Sequence, residues 1–355
     1  LPLDPNGVKN VVVMGKGAVT KHCNGGASAE GKPPYEVVPL EGITNRLGGA
    51  ATVVYLPLPL EGQSAKFAEI EGAVRKADAV IVLTGTEHGS GRAQECEGGD
   101  RPDLLLPAGH DEAIAKVLAW APKAVIVNHS GAPAEMPWVK QAATLVQYGY
   151  AGMEGGNALA AILFGDVNPS GKLPHTCPFK LADTPAAALG NYNETNVVYA
   201  EGIFVGYRWY DKKALAPMFP FGHGLSYTTF KYGKISASSK KLAPNGTLTV
   251  SVEVSNTGKR EGQEIVQLYV RDLAKTPKVE REVRALKNFA KVALKPGESK
   301  IVTLAVKPGD LAYFDVKAKN FRADAGEYAV EIGASSRDIK GQVAFTLAGD
   351  YTEAD

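Results

Sequence analysis

Cysteine is scarce in this chain: Cys23, Cys96 and Cys177 are the only three among 355 residues. An odd, widely spaced set gives neither a disulfide framework nor the paired spacing of a structural zinc site, so no metal is expected. A charge excess of either sign is also missing. Lys and Arg number 39 and Asp and Glu 38, a formal net charge of +1. Nucleic-acid binders carry a basic surplus, so nucleic acid is not an expected partner. No apolar run approaches the roughly 18 residues of a membrane helix; Ala158 to Phe164 is a typical short one. A membrane is not expected either. The opening Leu1-Pro2-Leu3-Asp4-Pro5 has no basic start, no apolar core and no initiating Met. No signal peptide is expected there, and the start reads as processed, truncated or excised.

What is present is ordinary for a soluble globular protein: 45% hydrophobic and 22% charged residues. At about 150 residues per domain, the length suggests two or three domains. The pattern changes once, near residue 230. Before it, apolar runs (Val11 to Met14, Ala79 to Leu83, Ala124 to Val127) alternate with stretches of helical spacing. Lys66 to Lys76, His110 to Trp120, Trp138 to Leu145 and Gly155 to Phe164 are the expected helices. Such alternation predicts an α/β sandwich on a mainly parallel sheet over 1–178. Residues 179–230 are rich in Pro, Gly and aromatics and read as an extended linker packing on that domain. From 231 to 355 the period becomes two: Leu248 to Val254, Glu264 to Val270, Lys300 to Val306, Tyr328 to Ile332 and Gln342 to Leu347 all alternate. Turn signals separate them at Asn256-Thr257-Gly258, Lys295-Pro296-Gly297 and Asp324-Ala325-Gly326. About seven short strands predict an all-β immunoglobulin-like or fibronectin III-like sandwich.

Two nucleotide- or nucleophile-like signatures fall short. Gly15-Lys16-Gly17 follows a strand, but position 20 is Thr where a dinucleotide fingerprint needs a third glycine. Gly26-Ala27-Ser28-Ala29 ends on Glu30 instead of the glycine of a nucleophile elbow. Three sequons occur, at Asn193, Asn245 and Asn128, and the last follows a buried strand. The richest chemistry lies in the loop from Thr86 to Pro107, which follows a predicted strand end, where α/β sheets place ligand sites. It holds Glu87, Glu95, Glu97, Asp100 and Asp103 with His88, Arg92 and Arg101. Gly98-Gly99 after Glu97 lets the backbone bend and approach a ligand. A carboxyl there suits a general acid/base, and a solvated acidic loop fits the same residues.

Taken together, four ordered motifs resemble the C-terminal half of glycoside hydrolase family 3, the β-glucosidase and β-xylosidase family. They are Glu97-Gly98-Gly99-Asp100-Arg101 with Leu104 to Pro107; Gly152 to Leu159 running into Leu163 to Pro174; Glu201 to Arg208; and Pro220 to Tyr227. The resemblance covers nearly the whole chain. It implies that a (β/α)8-type barrel, carrying an Asp nucleophile, precedes an α/β sandwich and a fibronectin type III-like domain, and that this chain holds the second and third. It implies Glu97 as the acid/base, with Glu95 as second choice because Gly89 to Glu95 follows no alignable pattern. His88 and Arg92 would line the +1 subsite, while Asp100 and Arg101 would hold the loop in shape. The function implied is part of a retaining, exo-acting β-glucosidase hydrolysing terminal β-D-glucosyl residues, secreted or periplasmic and acting in carbohydrate metabolism. No metal or organic cofactor is implied. The implied partners are a β-glucoside or short β-linked oligosaccharide and the barrel part of the same enzyme, with homo-oligomerisation left open. A β-xylosidase, or a non-catalytic carbohydrate-binding or assembly module, is the alternative.

Overall fold

The computed structural model describes residues 1–23, 31–88, 93–96, 99–190, 195–274 and 277–353. They form two compact units, Leu1–Val167 with Pro178–Leu181, and Asn168–Cys177 with Ala182–Asp355.

The first unit is built on a five-stranded parallel sheet. Its strands are β1 (Asn10–Met14), β2 (Thr52–Leu56), β3 (Ala79–Gly85), β6 (Val125–His129) and β7 (Thr144–Gln147). Helices α1 (Pro39–Leu47), α2 (Lys66–Lys76), α3 (His110–Trp120) and α4 (Gly155–Leu163) connect or follow them. Between β3 and α3 lies a two-residue parallel pair, β4 (Glu87–His88) with β5 (Gln94–Glu95). The strand order is β2-β1-β3-β6-β7. Every residue of β3 and β6 is buried. That explains their unbroken apolar runs, since a parallel sheet is covered by helices on both faces. The edge strands β2 and β7 are only partly buried.

The helices pack closely where glycine permits it. A Cβ on Gly42 of α1 would overlap the Gly156 carbonyl of α4, and one on Gly156 would overlap the Val38 carbonyl. Backbone thus meets backbone across this contact. Pro39 opens α1 at a position where a missing N–H costs nothing, and Gly48 closes it in the left-handed conformation at φ 54°.

Trp138 to Leu145 is not the helix its spacing predicts. The chain makes i→i+3 turns, Val139 N to Met136 O and Gln141 N to Trp138 O, and then enters β7. Pairing of Thr144–Gln147 with Val125–Asn128 captures Leu145 and Val146 as an edge strand, and tertiary hydrogen bonding overrides helical spacing. Two longer elements, α1 and β2, went unforeseen, as did the short pair β4–β5. The first contains Gly42 and Thr44, both weak helix formers.

The second unit carries the predicted sandwich. One sheet runs Lys241–Leu242, Ile339–Leu347, Gly326–Gly333, Gly262–Asp272, Ala285–Leu294. The other runs Ser299–Val306, Leu248–Asn256, Phe230–Tyr232. Val250, Val252, Val254, Val266, Leu268, Leu304, Val330 and Ile332 fill the core between them. Strict alternation in Leu248–Asn256 places Thr249, Ser251, Glu253 and Ser255 outward, as the register with Ser299–Val306 requires, while the terminal Asn256 is buried. Ala285–Leu294 shows weaker alternation and was not foreseen. The chain from Ala182 onward belongs to this unit and includes the short helices Pro185–Leu189 and Tyr207–Lys212.

Two helix glycines separate packing from propensity. Gly42→Ala should destabilise the protein by about 1–3 kcal/mol through overpacking. Gly72→Ala, in α2 with nothing near its Cβ position, should stabilise it by about 0.5–1 kcal/mol. Urea unfolding of both variants reads the pair of signs, and equal effects would refute the close helix contact.

Candidate functional site at the carboxyl edge of the parallel sheet

Strand order reverses between β1 and β3, and open parallel sheets bind ligands outside the carboxyl ends of strands at such a switch point. Gly15, at φ 94°, lets the turn after β1 lie on the Leu83 carbonyl of β3, where any Cβ would overlap. Lys16 then reaches Glu87, just past β3, with Nζ to Oε2 at 2.7 Å. The lysine is mostly exposed, so this pair adds little stability. It does tie together the two loops that flank the switch.

Five rings gather over the ends of β3, β6 and β7. His129 ends β6; its ring lies 3.7 Å from that of His22 and 4.6 Å from that of Tyr150. Tyr148 makes an edge contact with His129 at 5.8 Å, and His88 stacks on Tyr150 at 4.8 Å. Thr86 Oγ1 and the Tyr150 hydroxyl are 2.9 Å apart and hydrogen-bonded, with either able to donate. Glu36 Oε1 accepts from the amides of His22 and Cys23, at 2.6 and 3.0 Å. Both ring nitrogens of His129 and Nε2 of His22 are buried and find no hydrogen-bond partner among the described residues. Burial, reinforced by the neighbouring His22 and His88, pushes His129 down to about 3. Burial lowers His22 as well, against the opposing pull of Glu36 and Glu87. Burial therefore favours the neutral form of both His129 and His22. Burial likewise raises both tyrosines above the ordinary phenol range.

A carboxylate clamp stands beside these rings. Glu95, at the end of β5, accepts from the Gly131 amide through Oε2 at 3.0 Å and from the Ala132 amide through Oε1 at 3.1 Å. Arg101 Nη1 donates to Oε1 at 3.3 Å. The same guanidinium donates to the Pro133 and Leu105 carbonyls, at 3.3 and 3.1 Å. Both side chains are well buried, Arg101 at 7% and Glu95 at 16% exposure. Upstream, Ala93 adopts φ 57°, which is uncommon for a residue with a Cβ, and its carbonyl accepts from the Glu87 amide at 3.1 Å. Downstream, Cys96 and Gly99 pair across an isolated bridge.

Of the residues singled out in the sequence, Glu97 and Arg92 lie outside the described residues, as does the Gly26–Glu30 segment. Glu95 and Arg101 are brought together. His88 is exposed and lies on Tyr150, and Asp100 is exposed. Asn128 is fully buried and donates to Ser130 and Gln147, which leaves no room for a glycan. The ring cluster was not foreseen. Its one sequence signal is polar Asn128-His129-Ser130 directly after a buried apolar run, the mark of a strand leaving the core. Among the described residues no three His, Cys, Asp or Glu are placed to hold a metal. No described helix is long and apolar enough to cross a membrane.

Comparison with known proteins gives a consistent result. A family model described as the glycosyl hydrolase family 3 C-terminal domain matches residues 1–227. A fibronectin type III-like domain model matches residues 264–336. A beta-glucosidase of Bacteroides ovatus is 40% identical over 97% of this chain, and a beta-glucosidase of Rhizobium radiobacter is 43% identical over 81%. The chain spans 48% and 35% of those two proteins. A crystal structure of a beta-glucosidase from Kluyveromyces marxianus in complex with glucose has a TM-score of 0.89 at 28% identity, covering 99% of this chain and 60% of that one. That of a beta-glucosidase from Bifidobacterium adolescentis has a TM-score of 0.86 at 34% identity, covering 98% and 50%.

The buried histidines make stability depend on pH. In the unfolded chain each titrates near 6.5; in the fold, burial holds His129 at about 3 and His110 at about 4. The unfolded state thus binds protons that the fold refuses. Their contribution is fully present above about pH 6.5 and is lost as pH falls toward those folded values, by about 1.4 kcal/mol per pH unit for each histidine. Urea titrations between pH 7 and 5 should show this fall, and His129→Phe should remove one proton from the slope. An unchanged slope in that variant would contradict a neutral, buried His129.

Proposed function

Since the chain belongs to glycosyl hydrolase family 3, we propose that it supplies the general acid/base of a retaining β-glucosidase whose Asp nucleophile lies on a barrel part outside these 355 residues. The observation that carries the assignment to Glu97 is the state of its rival. Glu95 is held by two amides and a guanidinium, so its carboxylate is already engaged with the turn after β6 and with Arg101. Glu97 lies two residues on, and in the motif Glu97-Gly98-Gly99-Asp100-Arg101 it is the position at which the family resemblance places the acid/base. The names of the relatives favour glucose over xylose as the sugar recognised.

In this reading the barrel Asp attacks the anomeric carbon as the glycosidic C–O bond breaks. The proton of Glu97 passes to the departing oxygen, and a glycosyl ester forms. Water then attacks the same carbon, its proton returns to Glu97, and the ester bond breaks to release glucose and the Asp carboxylate. Retention needs the two carboxyls about 5–5.5 Å apart. The acid must also hold its proton at working pH, through burial and the nearness of the nucleophile. Both conditions require the barrel. The exposed His88 imidazole, backed by Tyr150, offers a flat surface for the leaving group, and Arg92 would join it in the +1 subsite.

Hydrolysis of an aryl β-glucoside tests the proposal. The isolated chain should be inactive, and activity should appear when the barrel part is present. Glu97→Gln in the complete enzyme should lower turnover of substrates with poor leaving groups by about 10²–10⁴-fold. Turnover by the isolated chain would overturn the shared-site reading.

A further inference from the structure

We propose that Glu95 is a positioning residue: its carboxylate, gripped by the Gly131 and Ala132 amides and by Arg101, pins the loop after β5 to the turn after β6. This rests on the reading of Glu97 as acid/base, because the pinned segment runs directly into that residue.

Three observations carry it. First, all three partners donate, the pattern that an acceptor-only ionised carboxylate satisfies. Two of the donors are backbone amides 36 and 37 residues away in sequence, so the contact joins two separate segments of chain. Second, the turn is shaped around the carboxylate. A Cβ on Gly131 would stand 2.8 Å from Glu95 Oε2 and 3.0 Å from the Tyr150 ring; only glycine leaves room for this grip. Third, regular structure takes in only a small part of the described loop, a two-residue strand pair and one isolated bridge. Arg101, in contact with Glu95 and with the Pro133 and Leu105 carbonyls, closes the far side of the loop onto the same turn. Displacement of a reacting group by about 1 Å can cost up to 10²-fold in rate. Loss of the pin should therefore register in the chemical step.

The test uses the complete enzyme with Glu95→Ala, Glu95→Gln, Gly131→Ala and Glu97→Ala. Each is assayed with aryl β-glucosides of good and poor leaving groups across pH, at a temperature where thermal melts show every variant folded. Glu95→Ala should lower kcat on the poor leaving group by about 10–100-fold, with KM little changed. The alkaline limb of its pH profile should persist, since the acid is still present. Gly131→Ala should act in the same direction with every functional group retained, and Glu95→Gln, which keeps one acceptor oxygen, should be milder than Glu95→Ala. Glu97→Ala should abolish the alkaline limb. Lowered melting temperatures for Glu95→Ala and Gly131→Ala, with wild-type kcat and pH profile, would overturn the positioning role and leave the acid/base reading standing. Loss of the alkaline limb in Glu95→Ala, and its survival in Glu97→Ala, would overturn both.

Discussion

A parallel sheet buried on both faces leaves polar chemistry one place to go, the ends of its strands. Here β3 and β6 contain no exposed residue, and their apolar side chains pack the core while the polar ones, Thr84, Asn128 and His129, fall at the carboxyl ends of the strands. Every group with acid, base or hydrogen-bonding capacity in the candidate site comes from a strand end or a loop beyond it: Lys16 after β1, Thr86 to His88 after β3, His129 to Ala132 at and after β6, Tyr148 and Tyr150 after β7. The core thus fixes where the site can be. Close approaches at Gly15 and at the α1–α4 contact then set the spacing of the elements that carry it.

Two kinds of electrostatic solution meet at this edge. Around His129 the protein removes charge by burial, so that aromatic and imidazole rings pack as neutral plates. A few residues away it keeps charge, and satisfies the Glu95 carboxylate with three donors. Tyr150 touches both regions, hydrogen-bonded to Thr86, while burial and, to a lesser degree, the Glu95 carboxylate raise its pKa. A buried carboxylate with this many partners favours one geometry sharply, because each donor left unpaired would cost about 1–3 kcal/mol.

Much of this was legible before any coordinates. Unbroken apolar runs marked β3 and β6, and strict alternation marked Leu248–Asn256 and its neighbours. The charged residues after the β3 run marked the loop from Thr86 to Pro107, and the first of the four family motifs falls within it. What stayed hidden depended on distant partners. Trp138 to Leu145 has helical spacing and became turn and strand because β6 offered an unpaired edge. The helical run Pro39–Leu47 was obscured by Gly42, whose presence answers to Gly156 more than 100 residues later. The grip on Glu95 comes from amides in another loop, and amides carry no sequence signature. The burial of His129 had only a faint one, its place at the end of an apolar run.

The amides that hold Glu95 belong to the same compact unit as Glu95 itself, and this bears on how an active site divided between two parts could come together. A loop already bound to its own scaffold does not need to be ordered on encounter. On the proposed reading, the anchor points Glu95 and Arg101 lose their freedom when the α/β unit folds, so union with a second body requires mainly correct orientation there. Association of that kind is limited by diffusion and alignment of two preformed surfaces, and is faster than binding that must wait for a conformational change.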